Sequence, residues 1–382
     1  MINFFKMKNL YQKYFISFIL LFITLSYNAT NAQSITYEVS WLKYYEPAEG
    51  KVVGIWPQWS RWLDIQKLKE LHYYKGFNYI LSLPDNDPPV YNNIIASGYQ
   101  PSEIMLLFAS FGEYIYQSLT QFPQSWAYYI DEPADENVSF QLLSEAKVFV
   151  NTNYPGSRLV MSGYKRTSQF IDYASIFDDI MFSSYQHWWK FLGFWVSCCP
   201  ENSDQRSDWT DMKNLFDSKF SMTWIGAHKD LSDYDELLGH AHNLGLSNIW
   251  LYQLSEVSDS DQNIEEFCSK AADHYFLKVY YQQVRDKKAN GQSVSRQFIG
   301  FPYSSSIPTN YDHANLSFNK DVIINNHRVD NYYAANNINA GGQFSFIIPD
   351  GTSASFNSQN HISLKPGFHA EAGSNFRAFI GD

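Results

Sequence analysis

The chain is poor in cysteine, with only Cys198, Cys199 and Cys268 among 382 residues. That excludes a disulfide-built scaffold, and the absence of C-x-x-C or His-rich spacing leaves zinc no ligand set. A bridge between the adjacent Cys198 and Cys199 is strained; either could pair with Cys268, leaving one thiol over. Basic charge is also scarce: 28 Lys and Arg against 39 Asp and Glu give a net charge of −11. This balance argues against a nucleic-acid partner, because phosphates need clustered cations. No G-x-G-x-x-G follows the first apolar run, so a dinucleotide would lack its phosphate loop. No G-x-S-x-G is present, so a serine nucleophile elbow is missing. Beyond the N-terminus no apolar run is long enough for a bilayer span. No cofactor and no metal are expected. Asp204, Asp208 and Asp211 could hold calcium, but solvated acids are the simpler reading.

What is present begins with a leader. Lys6, Lys8 and Lys13 precede an apolar stretch at 14–25, and Thr30-Asn31-Ala32 supplies small residues for cleavage before Gln33. Residues 1–32 therefore read as a signal peptide, and the mature protein as secreted or held at the cell surface. The alternative, a membrane anchor, has too short an apolar run for an easy span.

From Val52 to Glu256, eight short apolar runs alternate with amphipathic stretches. The runs lie at 52–59, 77–84, 104–111, 126–133, 158–164, 179–186, 220–228 and 248–256. Near-continuous apolar strands are buried on both faces, as in a parallel sheet. Eight such units predict an α/β fold, a closed (β/α)₈ TIM barrel over residues 33–289; an open doubly wound sheet is the runner-up. Helices are expected at 64–74, 139–152 and 232–244, and a last one over 264–288. Residues 290–310, rich in Gly, Ser, Gln and Pro, read as a linker. All eleven Trp lie at or before Trp250. Asn-rich turns and short β runs then predict a small all-β module over 311–382.

The tail of that module, HISLKPGFHAEAGSNFRAFIGD (361–382), resembles the 3-coathanger stack domain at the C-termini of exported Bacteroidota proteins. The resemblance implies export, and contact with the cell surface or export machinery, but no catalysis. Pro366-Gly367 and Ala372-Gly373 read as tight turns, with Phe368, Phe376 and Phe379 filling a thin core.

Barrel enzymes carry their chemistry at the C-terminal ends of the strands. There, after the fourth apolar run, stand Asp131 and Glu132, followed by Pro133. Two carboxylates set close together push their pKa values apart, and an acid beside an ionised neighbour is what glycosidic cleavage needs. The bland reading makes Asp131 the cap of a turn with Pro133 at its first position. YYIDEP (128–133) resembles the adjacent Asp-Glu pair of substrate-assisted β-N-acetylhexosaminidases. That resemblance implies Glu132 as general acid/base, Asp131 as the residue orienting the 2-acetamido group, and Tyr185 as a helper. No Glu ends the seventh run, where a retaining nucleophile commonly sits; His228 stands there, and Asp230 or Glu256 would have to substitute.

Aromatics fit a poly- or oligosaccharide partner, since rings stack on sugar C–H faces and indole donates a hydrogen bond. Trp56 and Trp59 follow the first run, and Trp188 and Trp189 the sixth. Gln186, His228, Asp230, Gln253 and Glu256 are further substrate-binding candidates near strand ends. Trp126, Trp224 and Trp250 read as core. The expected function is a glycoside hydrolase; a non-catalytic carbohydrate-binding barrel is the alternative, and a polysaccharide lyase or esterase a third.

Overall fold

The computed structural model describes residues 34–57, 63–82, 88–108, 123–134, 137–163, 166–182, 188–191, 194–197, 205–226, 231–254, 261–299, 302–309, 314–318, 321–323 and 331–381. The leader, 1–32, lies outside them. The described chain opens with a long strand, β1 (Ile35–Pro47), that is not part of the barrel. The barrel starts with β2 (Val52–Pro57), followed by β3 (Tyr79–Ser82), β4 (Ile104–Phe108), β5 (Ala127–Ile130), β6 (Arg158–Gly163) and β7 (Asp179–Phe182). A hairpin of β8 (Trp188–Phe191) and β9 (Phe194–Ser197) intervenes before β10 (Phe220–Gly226) and β11 (Asn248–Leu254). Strands β2 to β7, β10 and β11 are parallel, and β11 pairs back with β2 to close the ring. Each of the eight apolar runs contains one of these strands, so the expected closed barrel is present.

Helices cover the outside: α1 (Ile65–Tyr73), α2 (Pro88–Ala96), α3 (Phe140–Asn153), α4 (Ser168–Tyr173), α5 (Gln205–Phe216), α6 (Leu231–Asn243) and α7 (Asp261–Asp273). Their starts follow cap chemistry. Asp64 accepts from the amides of Gln66 and Lys67, Ser139 from Leu142, and Thr167 from Phe170, each satisfying an otherwise orphaned donor. Among the described residues no helix is long and apolar enough to cross a membrane.

Strand alternation sorts the side chains into two cores. Val53, Ile55, Ile80, Tyr128, Ile130 and Leu159 face the helices. Trp56, Leu81, Met105, Tyr129, Met181, Trp224 and Trp250 are among those that fill the barrel. Indoles fit there because a glycine yields space: a Cβ on Gly54 would lie 2.2 Å from the Trp250 ring. At the N-terminal end of the barrel, buried Asp179 is gripped by Arg158, whose Nη2 lies 2.6 Å from Oδ1, and by Ser221 at 3.0 Å.

The helix expected over 264–288 stops at Asp273. Phe276 N–H bonds to the Ala271 carbonyl at 2.8 Å and Tyr275 N–H to Ala272 at 3.1 Å, with Tyr275 left-handed at φ 63°. This is a Schellman stop built on tyrosine rather than glycine. The chain continues as β12 (Leu277–Ala289), antiparallel to the whole of β1. The stretch read as a linker instead carries β13 (Gln292–Phe298) and β14 (Tyr303–Ser304). Asn290 and Gly291, with φ of 52° and 81°, form the two-residue turn between β12 and β13, where both central residues of a type I′ hairpin need positive φ.

The C-terminal module is a short parallel coil of three turns. Its strands are β15 (Asn315–Ser317), β16 (Val322–Ile323) and β17 (Asn331–Ala334); then β18 (Asn337–Ala340), β19 (Phe346–Ile348) and β20 (Ser353–Ser358); then β21 (His361–Leu364), β22 (Phe368–Ala370) and β23 (Asn375–Ile380). Like strands stack: β15-β18-β21, β16-β19-β22 and β17-β20-β23. Leu316, Ile338, Phe346, Tyr332 and Phe356 fill the axis, with Phe368 and Phe376 packed against them at ring distances of 5.9 and 5.0 Å. Phe379, expected in that core, is exposed instead, because alternation along β23 puts it opposite Phe376 in facing. Asn337 donates to Asn315 across adjacent turns at 2.6 Å, the side-chain ladder that stacked strands favour. β13 joins β17 in parallel, so one sheet runs from β1 through β12 and β13 to β23.

Glu265 on α7 fastens that sheet to the barrel. It accepts from Lys43 at 2.8 Å and Tyr45 at 2.5 Å, both on β1, and from Lys75 at 2.8 Å just past α1. Cys268, one turn along α7, is a buried free thiol. Burial alone would push the Glu265 carboxyl up, but the bonds from Lys43, Lys75 and Tyr45 outweigh it and hold the carboxyl below the usual range.

Two outcomes follow. Gly54→Ala should lower stability by about 2–3 kcal/mol through overpacking against Trp250, read as a drop in thermal midpoint. Glu265→Gln should cost about 1 kcal/mol at neutral pH, a figure already reduced for partial exposure. Because the folded carboxyl titrates below its unfolded value, that contribution is full above the ordinary glutamate range and fades on acidification. Denaturant titrations should show wild type and variant converging as pH falls from about 6 to about 3.

Candidate functional site

The chemistry of interest gathers where β5 and β6 end. Ala127 and Tyr129 point into the barrel while Tyr128 and Ile130 point out to the helices. The same alternation carries Asp131 inward. On β6, Val160 points inward and so does Ser162, two residues on. The parallel register sets Ile130 beside Met161, which brings Ser162 next to Asp131.

Five groups form a continuous hydrogen-bond chain. The indole of Trp224, from β10, donates to the Tyr129 hydroxyl at 3.2 Å. Tyr129 donates to Asp131 Oδ1 at 2.9 Å. Ser162 donates to the same oxygen at 2.7 Å, and the Ser162 oxygen accepts the Glu132 backbone N–H at 2.9 Å. Tyr129, Ser162 and Trp224 are each at most 2% exposed, while Asp131 and Glu132 are half-buried. Burial, and then the adjacent Asp131 charge, push the Tyr129 phenol well above its ordinary value. It therefore stays a donor at every working pH.

Glu132 sits in the left-handed region at φ 43°, which is uncommon for a residue with a long side chain. Beyond it the loop is anchored: Pro133, Ala134 and Val138 are buried, and Val138 N–H returns to the Pro133 carbonyl at 3.0 Å. Tyr173 of α4 donates to the Val138 carbonyl.

Beside this chain lies an aromatic layer. Trp56, at the end of β2, has its ring 5.9 Å from Trp224 and 5.0 Å from Tyr252. Its indole N–H is buried without a hydrogen-bond partner, as is that of Trp250 deeper in the barrel. A buried unpaired donor near the strand ends is costly.

Of the residues expected to form a site, the structure brings Asp131, Glu132 and Trp56 into one region. Trp59, Tyr185, Gln186, His228, Asp230 and Glu256 lie outside the described residues. Trp188 and Trp189 belong to β8 and Gln253 to β11, with only their backbone described. Trp209 is a fully buried residue of α5. Asp211, weighed as a calcium ligand, pairs with Arg166 at 3.1 Å. Tyr129, Ser162 and Trp224 were not expected at the site. Alternation on β5 and β6 was the signal available for the first two, and Trp224 read only as core.

No known protein family matches the sequence, and no curated protein does. Solved structures give remote similarity. A truncated 3-deoxy-D-arabino-heptulosonate 7-phosphate synthase from Thermotoga maritima is 10% identical, with TM-score 0.38 over 59% of this chain and 86% of that one. Protein CitE from Mycobacterium tuberculosis, in complex with magnesium and pyruvate, is 8% identical, with TM-score 0.36 over 58% and 90%. A glycosyl hydrolase family 2 member from Bacteroides cellulosilyticus is 9% identical, with TM-score 0.36 over 61% of this chain and 37% of that one. None of these similarities bears on what this chain does; the local geometry has to carry that.

The geometry makes a stability claim of its own. Tyr129→Phe removes one donor from Asp131 and takes away the Tyr129 oxygen that accepts the Trp224 N–H. It should cost about 1–3 kcal/mol, measured by chemical denaturation, whatever the ligand.

Proposed function

We propose that the barrel is a secreted glycoside hydrolase that cleaves a poly- or oligosaccharide, with Glu132 as general acid/base. One observation carries this reading: an adjacent Asp-Glu pair at the C-terminal end of a barrel strand, whose Asp131 carboxylate is fixed by two hydroxyl donors. Strand ends are where barrels of this kind place their reacting groups. An acid that gives a proton to the leaving oxygen, next to a carboxylate that steadies developing positive charge, is the division of labour glycosidic cleavage requires.

In this reading the substrate is N-acetylated, and its own acetamido oxygen attacks the anomeric carbon. Asp131 then orients the acetamide, Glu132 protonates the departing oxygen, and Glu132 afterwards takes a proton from the water that opens the cyclic intermediate. The buried indole N–H of Trp56 is a donor for a sugar oxygen, and the rings of Trp56 and Tyr252 offer it an apolar wall. Trp59, Trp188, Trp189, Tyr185, Gln186, His228, Asp230, Gln253 and Glu256 remain the candidates for completing the sugar site. Residues 1–32 direct export, and the C-terminal coil meets the cell surface or the export machinery.

Aryl glycosides, with and without a 2-acetamido group, test this. Glu132→Gln should lower turnover of the N-acetylated substrate about a thousand-fold while polysaccharide binding persists. If wild type cleaves nothing in a broad panel yet retains polysaccharide on an affinity gel, the non-catalytic binding reading takes its place.

A further inference from the structure

Ser162 touches both members of the acidic pair with one oxygen atom. A serine hydroxyl has a single proton to give and lone pairs to accept with. Here the proton goes to Asp131 Oδ1 at 2.7 Å and a lone pair takes the Glu132 N–H at 2.9 Å. The residue is 2% exposed, so water does not compete for either bond. Tyr129 also donates to Oδ1, so that oxygen accepts from two hydroxyls. The second bond lands on the one residue of the pair with left-handed backbone, Glu132 at φ 43°. A short link between two carboxylate-bearing residues therefore runs through a side chain on a different strand, β6.

We infer that Ser162 is the positioning residue of the acidic pair, setting the Asp131 carboxylate and the Glu132 turn in register with each other through one hydroxyl. It does not touch the reacting atoms; it acts through the two residues that do. Its catalytic consequence rests on the hydrolase reading above. Misplacement of a catalytic group by about 1 Å can cost about a hundred-fold in rate, with little effect on how the ground-state substrate binds.

Three variants read this out on the full-length mature chain. With an aryl N-acetyl-β-glucosaminide as probe, Ser162→Ala should lower kcat about 30- to 100-fold and leave KM within about two-fold. Ser162→Thr, which keeps the hydroxyl, should recover kcat to within a few-fold. If the alanine variant does not fold, Ser162→Cys, a weak donor of similar shape, takes the same readouts. The second readout needs no activity: exchange of the Glu132 amide proton, followed in protein labelled with ¹⁵N-glutamate and assigned by the signal missing in Glu132→Gln. It should quicken at least about ten-fold in Ser162→Ala, from loss of the hydroxyl accepting that N–H, and stay slow in Ser162→Thr. A Ser162→Ala enzyme with wild-type kcat, or a Glu132 amide whose exchange is unchanged, overturns the assignment. Wild-type protein that cleaves no glycoside sinks the hydrolase reading alone, and the amide exchange then decides whether Ser162 sets the pair.

Discussion

In a closed ring of strands every second side chain must point at the axis, and no edge exists where that rule can relax. Everything at the candidate site depends on this alternation holding along β5. Ala127 and Tyr129 enter the barrel and Tyr128 and Ile130 enter the layer beneath the helices. Asp131 inherits the inward direction and meets Tyr129 two residues before it. A slip of one residue against β6 would reverse the order. Tyr129 would then leave the axis, Trp224 would lose its acceptor, and Ser162 would face the wrong member of the pair. The aromatic filling of the barrel opposes such a slip. Trp250 lies across Gly54, and Trp224 touches Trp56, Tyr129 and Tyr252, so β2, β5, β10 and β11 are locked to one another through these side chains. Burial of large side chains, worth about 1.5–3 kcal/mol each, thus sets the register that the polar groups need.

The second half of the architecture follows from a different requirement. A coil of three short turns has a thin core and two open ends, and small β units of this kind are marginal alone. Here β13 pairs with β17, so the first turn of the coil is covered by the β12–β13 hairpin rather than left as an edge. The hairpin in turn rests on β1, which runs its whole 13 residues against β12. Glu265 then joins that ribbon to α7 and to the end of α1. Lys43 and Lys75 with Glu265, and Phe298 with Tyr332, therefore hold barrel and coil in one sheet-linked body.

What could be read from the sequence divides along the same line. The eight barrel strands were legible because burial on both faces writes a continuous apolar run into each. The helix starts expected at 64 and 139 were legible because cap chemistry is local. The end of α7 was not: Tyr275 takes a position where glycine or asparagine is the usual sign, and no proline follows to flag the stop. Asn290-Gly291 was a hairpin signal in plain view, but its flanking strands alternate Lys, Arg, Ser and Gln, which reads as polar linker. The three-turn coil hid for a related reason. Its turns repeat the placement of Asn and Phe, yet the ladder partners Asn315 and Asn337 stand 22 residues apart, beyond the reach of local pattern. At the site the acidic pair was legible as two adjacent carboxylates. Ser162 and Tyr129 were not, because their roles exist only once β5 and β6 are paired in one register.

The conformation of Glu132 carries the last step. Strict alternation would send this residue outward, into the layer where Tyr128 and Ile130 are fully buried, and an ionised carboxylate there would be severely penalised. The left-handed backbone at Glu132 ends the alternation at once and keeps the side chain half-buried instead. For a residue with a Cβ that conformation costs about 1–2 kcal/mol, offset by the amide bond to Ser162 and by the buried Pro133 and Ala134 that follow. Glycine would make the same turn with no such cost. Strain of this kind gathers at working sites, in keeping with the role proposed for Glu132.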